Sequence, residues 1–69
     1  METIATYVKK MRKQYSLTQV ELSGKSGVGL RFVRELEQGK QTLRIDKVNQ
    51  VLSLFGAELL PVDKSRFNV

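Results

Sequence analysis

The sequence predicts an all-α domain, a small bundle of four to five helices followed by a short C-terminal strand. Apolar residues recur every three or four positions along most of the chain, as on the buried side of an amphipathic helix. Glycines follow several of these patterns, where helices commonly end. We place the helical domain at residues 1–56 and an extended dimerisation segment with its tail at residues 57–69.

Composition limits the classes of function. The 69 residues carry a net charge of +5 and a sequence pI near 9.9, which favours a polyanionic partner such as double-stranded DNA. The chain has no cysteine and no histidine, so we expect no disulfide, no zinc site and no cofactor. Gly24-Lys25-Ser26 lacks the upstream glycine of a phosphate-binding loop, and we do not expect an enzyme. No apolar run has the length of a membrane span, and we expect a cytoplasmic protein.

The first helix is predicted from Thr3 to Gln14. A stripe of apolar side chains recurs at helical spacing along it: Ile4, Val8, Met11 and Tyr15. The opposite side carries three lysines: Lys9, Lys10 and Lys13. These lysines either follow a phosphate backbone or form a solvated surface, and the sequence leaves both interpretations open.

The second helix is predicted at residues 18–26. The Thr18 hydroxyl can accept a hydrogen bond from the Glu21 amide, while the Glu21 carboxylate accepts one from the Thr18 amide, which forms a capping box. Gly27 predicts the end of this helix, because glycine adopts the left-handed conformation without a steric penalty.

The third helix is predicted from about Leu30 to Gln38. Val33 and Leu36 lie one turn apart and are expected to face the core. This orientation leaves Arg31 and Arg34 on the outer side of the helix. The third helix therefore presents two arginines to solvent or to a ligand.

Four residues of this helix are candidates for DNA contact. An α-helix fits the major groove, where arginine can donate two hydrogen bonds to guanine, and Arg31 is the first candidate for a base contact. Arg34 would contact a base or a phosphate, or would pair with a surface glutamate. Leu30 is expected to be exposed, either against a thymine methyl group or simply on the helix surface. Phe32 either belongs to the core or faces DNA.

The fourth helix is predicted to close at Gly56. Its apolar stripe has helical spacing: Ile45, Val48, Leu52 and Phe55. Val51 and Leu54 widen that stripe beyond what one small core needs. We expect these two side chains to contribute to a dimer contact.

Residues 57–62 are predicted to be extended, although no other strand is evident in the chain. A lone strand is unstable, so we expect pairing with the same segment of a second copy, with Pro61 where no hydrogen-bond donor is needed. A collapsed tail is the alternative. The expected dimerisation residues are Glu58, Leu59, Leu60 and Val62.

Two motifs are specific in combination. Residues 17–22 read L-T-Q-V-E-L and residues 37–40 read E-Q-G-K. Together they resemble the XRE and Cro-type helix-turn-helix family, whose fold is lambda-repressor-like, over roughly residues 4–56. The resemblance implies a homodimer that binds an inverted-repeat operator in double-stranded DNA.

The same resemblance implies roles for residues outside the third helix. Gln19 would approach the DNA backbone, with an ordinary exposed glutamine as the alternative, and Lys40 would reach a phosphate. Arg12 would form a structural ion pair with Glu37, with a solvated arginine as the alternative.

Residues 27–40 and 51–56 resemble one branch of that family, the HipB-type antitoxins. This closer resemblance implies a transcriptional repressor that regulates its own operon and binds a HipA-like serine/threonine kinase toxin. It also implies a C-terminal strand that pairs across the dimer. Three classes of function stay open: such an antitoxin, a stand-alone regulator without a toxin partner, and a protein-interaction module that keeps only the fold.

Overall fold

The computed structural model describes residues 2–64, which form four α-helices. The helices are α1 (Ile4–Gln14), α2 (Gln19–Ser26), α3 (Leu30–Glu37) and α4 (Ile45–Leu54). The predicted all-α class is confirmed, with four helices within the described part of the chain. None of these helices is both long enough and apolar enough to cross a membrane.

Local side chains set the starts and ends of the helix pair. The Glu21 amide donates to the Thr18 hydroxyl at 3.0 Å, and the Thr18 amide donates to the Glu21 carboxylate at 2.9 Å, so the capping box is present. The hydrogen bond from the Thr18 amide lowers the pKa of the Glu21 carboxyl group. The stabilisation is therefore present above the unfolded-state pKa and is lost as the pH falls through the folded-state pKa. Gly27 ends α2 in the left-handed conformation, with φ of +80°.

The core lies where the four helices meet. Its buried apolar side chains are Val8, Leu22, Val28, Val33, Leu36, Val48, Val51, Leu52 and Phe55. Every helix contributes to this set, and Val28 contributes from the turn between α2 and α3. The core therefore fixes α3 on its inner side and leaves the outer side to solvent.

The predicted roles of two residues on α4 were wrong. Ile45 was expected in the core but is 66% exposed, because it is the first residue of the helix and no turn precedes it. Val51 was expected at a dimer contact but is fully buried in the monomer core. Leu54 packs against that core and is half-buried. Most of the apolar surface of α4 is therefore covered within a single chain.

The predicted C-terminal strand is absent from the described residues of the single chain. Residues 57–62 have no regular secondary structure and pair with no strand among residues 2–64. The Leu59 amide donates to the Asn49 side-chain carbonyl oxygen at 2.8 Å, and Leu59 packs against the core. Leu60 and Val62 remain exposed. The last part of the predicted tail, residues 65–69, lies outside the described residues.

Two glycines of the helix pair are expected to respond oppositely to alanine. A Cβ atom at Gly27 would lie 2.9 Å from Gln50 Nε2, whose hydrogen bond to the Ser26 carbonyl it would disturb. The left-handed backbone adds a further penalty, so Gly27→Ala is expected to lower the free energy of unfolding by about 1 to 2 kcal/mol or more.

Gly24 is the matched control, because it lies within α2 and a Cβ atom there meets nothing within 4 Å. Gly24→Ala is expected to raise the free energy of unfolding by about 1 kcal/mol through helix propensity. Urea denaturation of both variants measures these changes. Shifts of the same sign would contradict the assigned roles.

Candidate nucleic-acid interface

Residues 27–29 join α2 to α3 in a short turn held by hydrogen bonds. The Ser23 hydroxyl donates to the Val28 carbonyl oxygen at 2.6 Å, and the Gln50 side chain donates to the Ser26 carbonyl oxygen at 2.7 Å. Val28 is buried beneath the turn. The angle between α2 and α3 is thus fixed both from within the pair and from α4.

The third helix has a buried side and an exposed side. Val33, Leu36 and Glu37 are buried, whereas Arg31 and Arg34 are exposed, as expected from the spacing. The Arg31 side chain is 92% exposed. Both arginines therefore project from the outer side of a helix that the core holds in place.

The Arg34 side chain forms no ion pair or hydrogen bond with other residues of the described range 2–64, although the Arg34 carbonyl oxygen accepts a hydrogen bond from the Gln38 amide at 3.0 Å. The surface pairing considered for Arg34 is instead made by Arg31, whose Nε lies 3.6 Å from Glu35 Oε2. The spacing of four residues between Arg31 and Glu35 was the available sequence signal for this contact. Arg34 thus presents an unpaired cation to the exterior.

Phe32 and Leu30 are both half-buried. Phe32 packs against the core, and the Lys47 ammonium group lies 6.0 Å from the centre of its ring. Of the two interpretations of Phe32, the core residue therefore agrees better with its contacts. Leu30 was expected to be exposed, but its side chain is partly covered at the start of α3. Its accessible part still lies at the N-terminal end of the helix.

A buried ion pair joins the end of α3 to α1. Arg12 donates to Glu37 through Nε at 2.7 Å and through Nη2 at 3.0 Å. Its Nη1 donates to the Leu17 carbonyl oxygen at 2.9 Å, which ties the loop before α2 to the same group. The hydrogen bond to Glu37 raises the pKa of Arg12. Arg12 and Glu37 therefore occupy the structural position that the resemblance implies.

Gln19 joins this network. Its Nε2 donates to Glu37 Oε1 at 3.2 Å, so its amide contacts a neighbouring side chain in the free protein. The side chain is half-buried, and its carbonyl oxygen makes no hydrogen bond within residues 2–64. Gln19 thus lies at the start of α2, adjacent to the C-terminal end of α3.

Lys40 lies just after α3 and contacts Glu35. Its Nζ is 3.2 Å from Glu35 Oε2, and the side chain is 45% exposed. A phosphate contact was predicted for Lys40, whereas this carboxylate partner was not predicted from the sequence. Glu35 consequently lies between two cations that are candidates for DNA contact.

The candidate dimerisation residues lie in the segment that follows α4. Glu58, Leu60 and Val62 are exposed, whereas Leu59 is half-buried against the core. Leu59 is therefore occupied within its own chain. Leu60 and Val62 are the accessible apolar side chains of this segment.

Two short helices joined by a tight turn, with an arginine-bearing outer side on the second, define a helix-turn-helix protein. The chain belongs to the helix-turn-helix family, whose model matches residues 8–61. Over 56 residues it is 48% identical to an uncharacterised HTH-type transcriptional regulator, y4mF, of Sinorhizobium fredii. That alignment covers 81% of this chain and 74% of the relative. No solved structure matches the chain.

The predicted membership of a helix-turn-helix family is thus confirmed. The closer resemblance to HipB-type antitoxins stays a prediction, because neither comparison distinguishes that branch.

Proposed function

We propose that this protein is a transcriptional repressor that reads an inverted-repeat operator with α3 and acts as a homodimer. The outer side of α3 supports the proposal most directly, because Arg31 and Arg34 project from a helix whose inner side is fully held by the core. A helix in this position of the motif lies in the major groove, and its first turns contact base edges. Arg31 is assigned to a guanine, and Arg34 to a base or a phosphate.

Other residues supply contacts to the DNA backbone. Lys40 follows α3 directly and is assigned to a phosphate, in exchange for its contact with Glu35. Gln19 lies at the N-terminal end of α2 and is assigned to the backbone beside it. Leu30 and the exposed edge of Phe32 are assigned to apolar contacts at the start of α3. The net charge of +5 favours the contacts to phosphates.

The homodimer is proposed to form through residues 57–62. These residues form no helix, and the exposed side chains of Leu60 and Val62 lie two positions apart in the sequence, which would place both on one side of a strand. Pairing with the same segment of a second copy would cover these side chains and satisfy the backbone groups. Two recognition helices would then reach successive major grooves about 34 Å apart.

The operator proposal is tested by gel-shift with duplex DNA from upstream of the coding sequence, in competition with random duplex of equal length. We expect a clear preference for the upstream DNA. If about six to ten phosphates are neutralised per dimer, affinity should fall by about 10³- to 10⁵-fold between about 50 mM and 200 mM salt. Equal binding to both duplexes, or a flat salt response, would contradict the proposal.

The dimer is tested with Leu60→Asp combined with Val62→Asp, which leaves the core contact of Leu59 intact. This variant is expected to sediment as a folded monomer and to bind the operator at least about 100-fold more weakly through lost bivalency. Ile45→Asp is the matched control, because it removes an equally exposed apolar side chain elsewhere. A double variant that stays dimeric would exclude this interface.

A more specific proposal is that this repressor is a HipB-type antitoxin, which binds a HipA-like kinase toxin. It is supported by the resemblance of residues 27–40 and 51–56 and by exposed apolar side chains outside α3, such as Leu60 and Val62. With α3 in the groove, the C-terminal end and the flanks of the dimer remain accessible to a second macromolecule. The toxin would therefore bind there and leave operator binding intact.

Co-expression of the tagged chain with the adjacent reading frame tests the antitoxin role. A kinase-like product that co-purifies and still allows operator binding is expected. A neighbour that is not kinase-like, or that does not co-purify, would favour the second candidate, a stand-alone regulator. The Sinorhizobium relative is named as a transcriptional regulator, which is compatible with both candidates.

A further inference from the structure

Glu35 is the one acidic side chain on α3 that contacts the candidate DNA-binding cations among the described residues. Its Oε2 lies 3.6 Å from Arg31 Nε and 3.2 Å from Lys40 Nζ. Arg31 precedes it by one turn on α3, and Lys40 follows in the loop after the helix. A single carboxylate oxygen is thus shared between the two cations.

The Arg31 atom that faces Glu35 determines which of its N–H donors remain free for a base. The contact is made through Nε, on the inner edge of the guanidinium group, which leaves Nη1 and Nη2 for the outer edge. Reading guanine requires two parallel N–H donors directed at O6 and N7. Because the guanidinium group is planar, a carboxylate that approaches Nε more closely than the 3.6 Å of the free protein, and accepts a hydrogen bond from it, also fixes the direction of the outer donors. Without such a contact, a side chain that is 92% exposed samples many rotamers.

Lys40 lies closer than Arg31 to the same carboxylate oxygen in the free protein. At 3.2 Å Lys40 is within hydrogen-bond distance, whereas Arg31 at 3.6 Å is not. A phosphate that binds Lys40 removes it from Glu35 and leaves Oε2 to Arg31. The backbone contact and the base contact are coupled through this carboxylate.

We propose that Glu35 is a positioning residue that orients Arg31 for base recognition and takes up Arg31 when Lys40 moves to a phosphate. This inference rests on the proposed reading of DNA by α3. A carboxylate near the phosphates weakens binding to every duplex by charge repulsion. Glu35 thus lowers affinity for random DNA while it sharpens the preference for the correct base.

The experiment begins with the duplex that the full-length wild-type protein selects from a random library. Each guanine of that duplex is replaced in turn by 7-deazaguanine, which removes the N7 acceptor and keeps the base pair. The guanine at which wild type loses affinity but Arg31→Ala does not is the guanine that Arg31 reads. Wild type, Glu35→Gln and Glu2→Gln are then compared on the normal and modified duplexes and on random DNA.

At that guanine, the affinity loss caused by 7-deazaguanine is expected to be roughly tenfold smaller for Glu35→Gln than for wild type. Glu35→Gln is expected to bind random DNA more tightly than wild type does. Its unfolding temperature is expected to stay close to that of wild type. Glu2→Gln makes the same change of charge at a glutamate that contacts Lys10, and its base discrimination is expected to be unchanged. In an Arg31→Ala background, Glu35→Gln should have no further effect on discrimination.

A Glu35→Gln variant that keeps the full loss at this guanine would overturn the inference and leave the proposed repressor function standing. The absence of any guanine whose modification depends on Arg31 would also overturn it. If wild type selects no sequence at all, the proposed function itself fails. The three results are distinguishable because they come from different measurements: the selection with wild type, the guanine replacements with wild type and Arg31→Ala, and the comparison with Glu35→Gln.

Discussion

Replacing Arg12 with alanine is expected to lower the free energy of unfolding by about 3 to 5 kcal/mol, because it leaves a buried charge without its partner. The Glu37 side chain is only 2% exposed, and Arg12 supplies two of its hydrogen bonds. The same change frees the Leu17 carbonyl oxygen. For a domain of 69 residues this loss is comparable with its whole stability. Urea denaturation followed by circular dichroism measures it.

Arg34→Ala is the control, because it removes an exposed arginine and is expected to change stability by no more than about 0.5 kcal/mol. A double variant, Arg12→Met with Glu37→Leu, should recover most of the loss, since neither charge then remains buried. An Arg12→Ala protein that unfolds at the same urea concentration as Arg34→Ala would contradict the structural role of the pair.

Arg31→Ala is expected to weaken operator binding by about 1 to 3 kcal/mol per half-site and to relax the preference for one base pair. The side chain makes no buried contact in the free protein, so stability should change little. Fluorescence anisotropy on the selected duplex and on its single-base variants measures both affinity and preference.

Lys40→Ala provides the comparison, because a phosphate contact carries no sequence information. It should weaken binding to all duplexes together and reduce the salt dependence by about one phosphate per subunit. An Arg31→Ala protein with unchanged affinity and unchanged base preference would exclude this residue as the reader.

The helix boundaries were predictable because neighbours in the sequence determine them. Thr18 and Glu21 cap α2 through each other's amides, and Gly27 ends it with a positive φ. The end of α1 carried no comparable signal, since Ser16 adopts φ of +57° without being a glycine. Backbone hydrogen bonds hold that residue in the left-handed region: its amide donates to the Lys13 carbonyl oxygen at 3.0 Å, and the Leu17 amide donates to the Arg12 carbonyl oxygen at 2.9 Å.

Burial at the first residue of a helix was less predictable. Side chains on a helix lean towards its N-terminus, so the first residue projects beyond the helix end. What lies there decides its burial: Ile45 meets solvent, whereas Leu30 is partly covered. Val51 was predicted wrongly for a different reason. The sequence does not reveal how many apolar side chains one core can bury, so Val51 looked like a surplus residue.

Contacts between distant residues were the least predictable part of the candidate site. Arg12 and Glu37 are 25 positions apart, and only the family resemblance suggested the pair. The shared contact of Glu35 with Arg31 and Lys40 depends on how the chain turns after α3, which periodicity does not describe.

Protection of guanine N7 from methylation by dimethyl sulfate most directly tests whether α3 reads the major groove, because N7 lies in that groove. On the selected duplex, wild type is expected to protect guanines in two patches about 34 Å apart, one for each subunit of the dimer. Arg31→Ala should lose protection at one guanine of each patch while the remaining guanines stay protected at saturating protein. Unchanged N7 reactivity on a fully bound duplex would contradict the account, because it would place α3 outside the major groove.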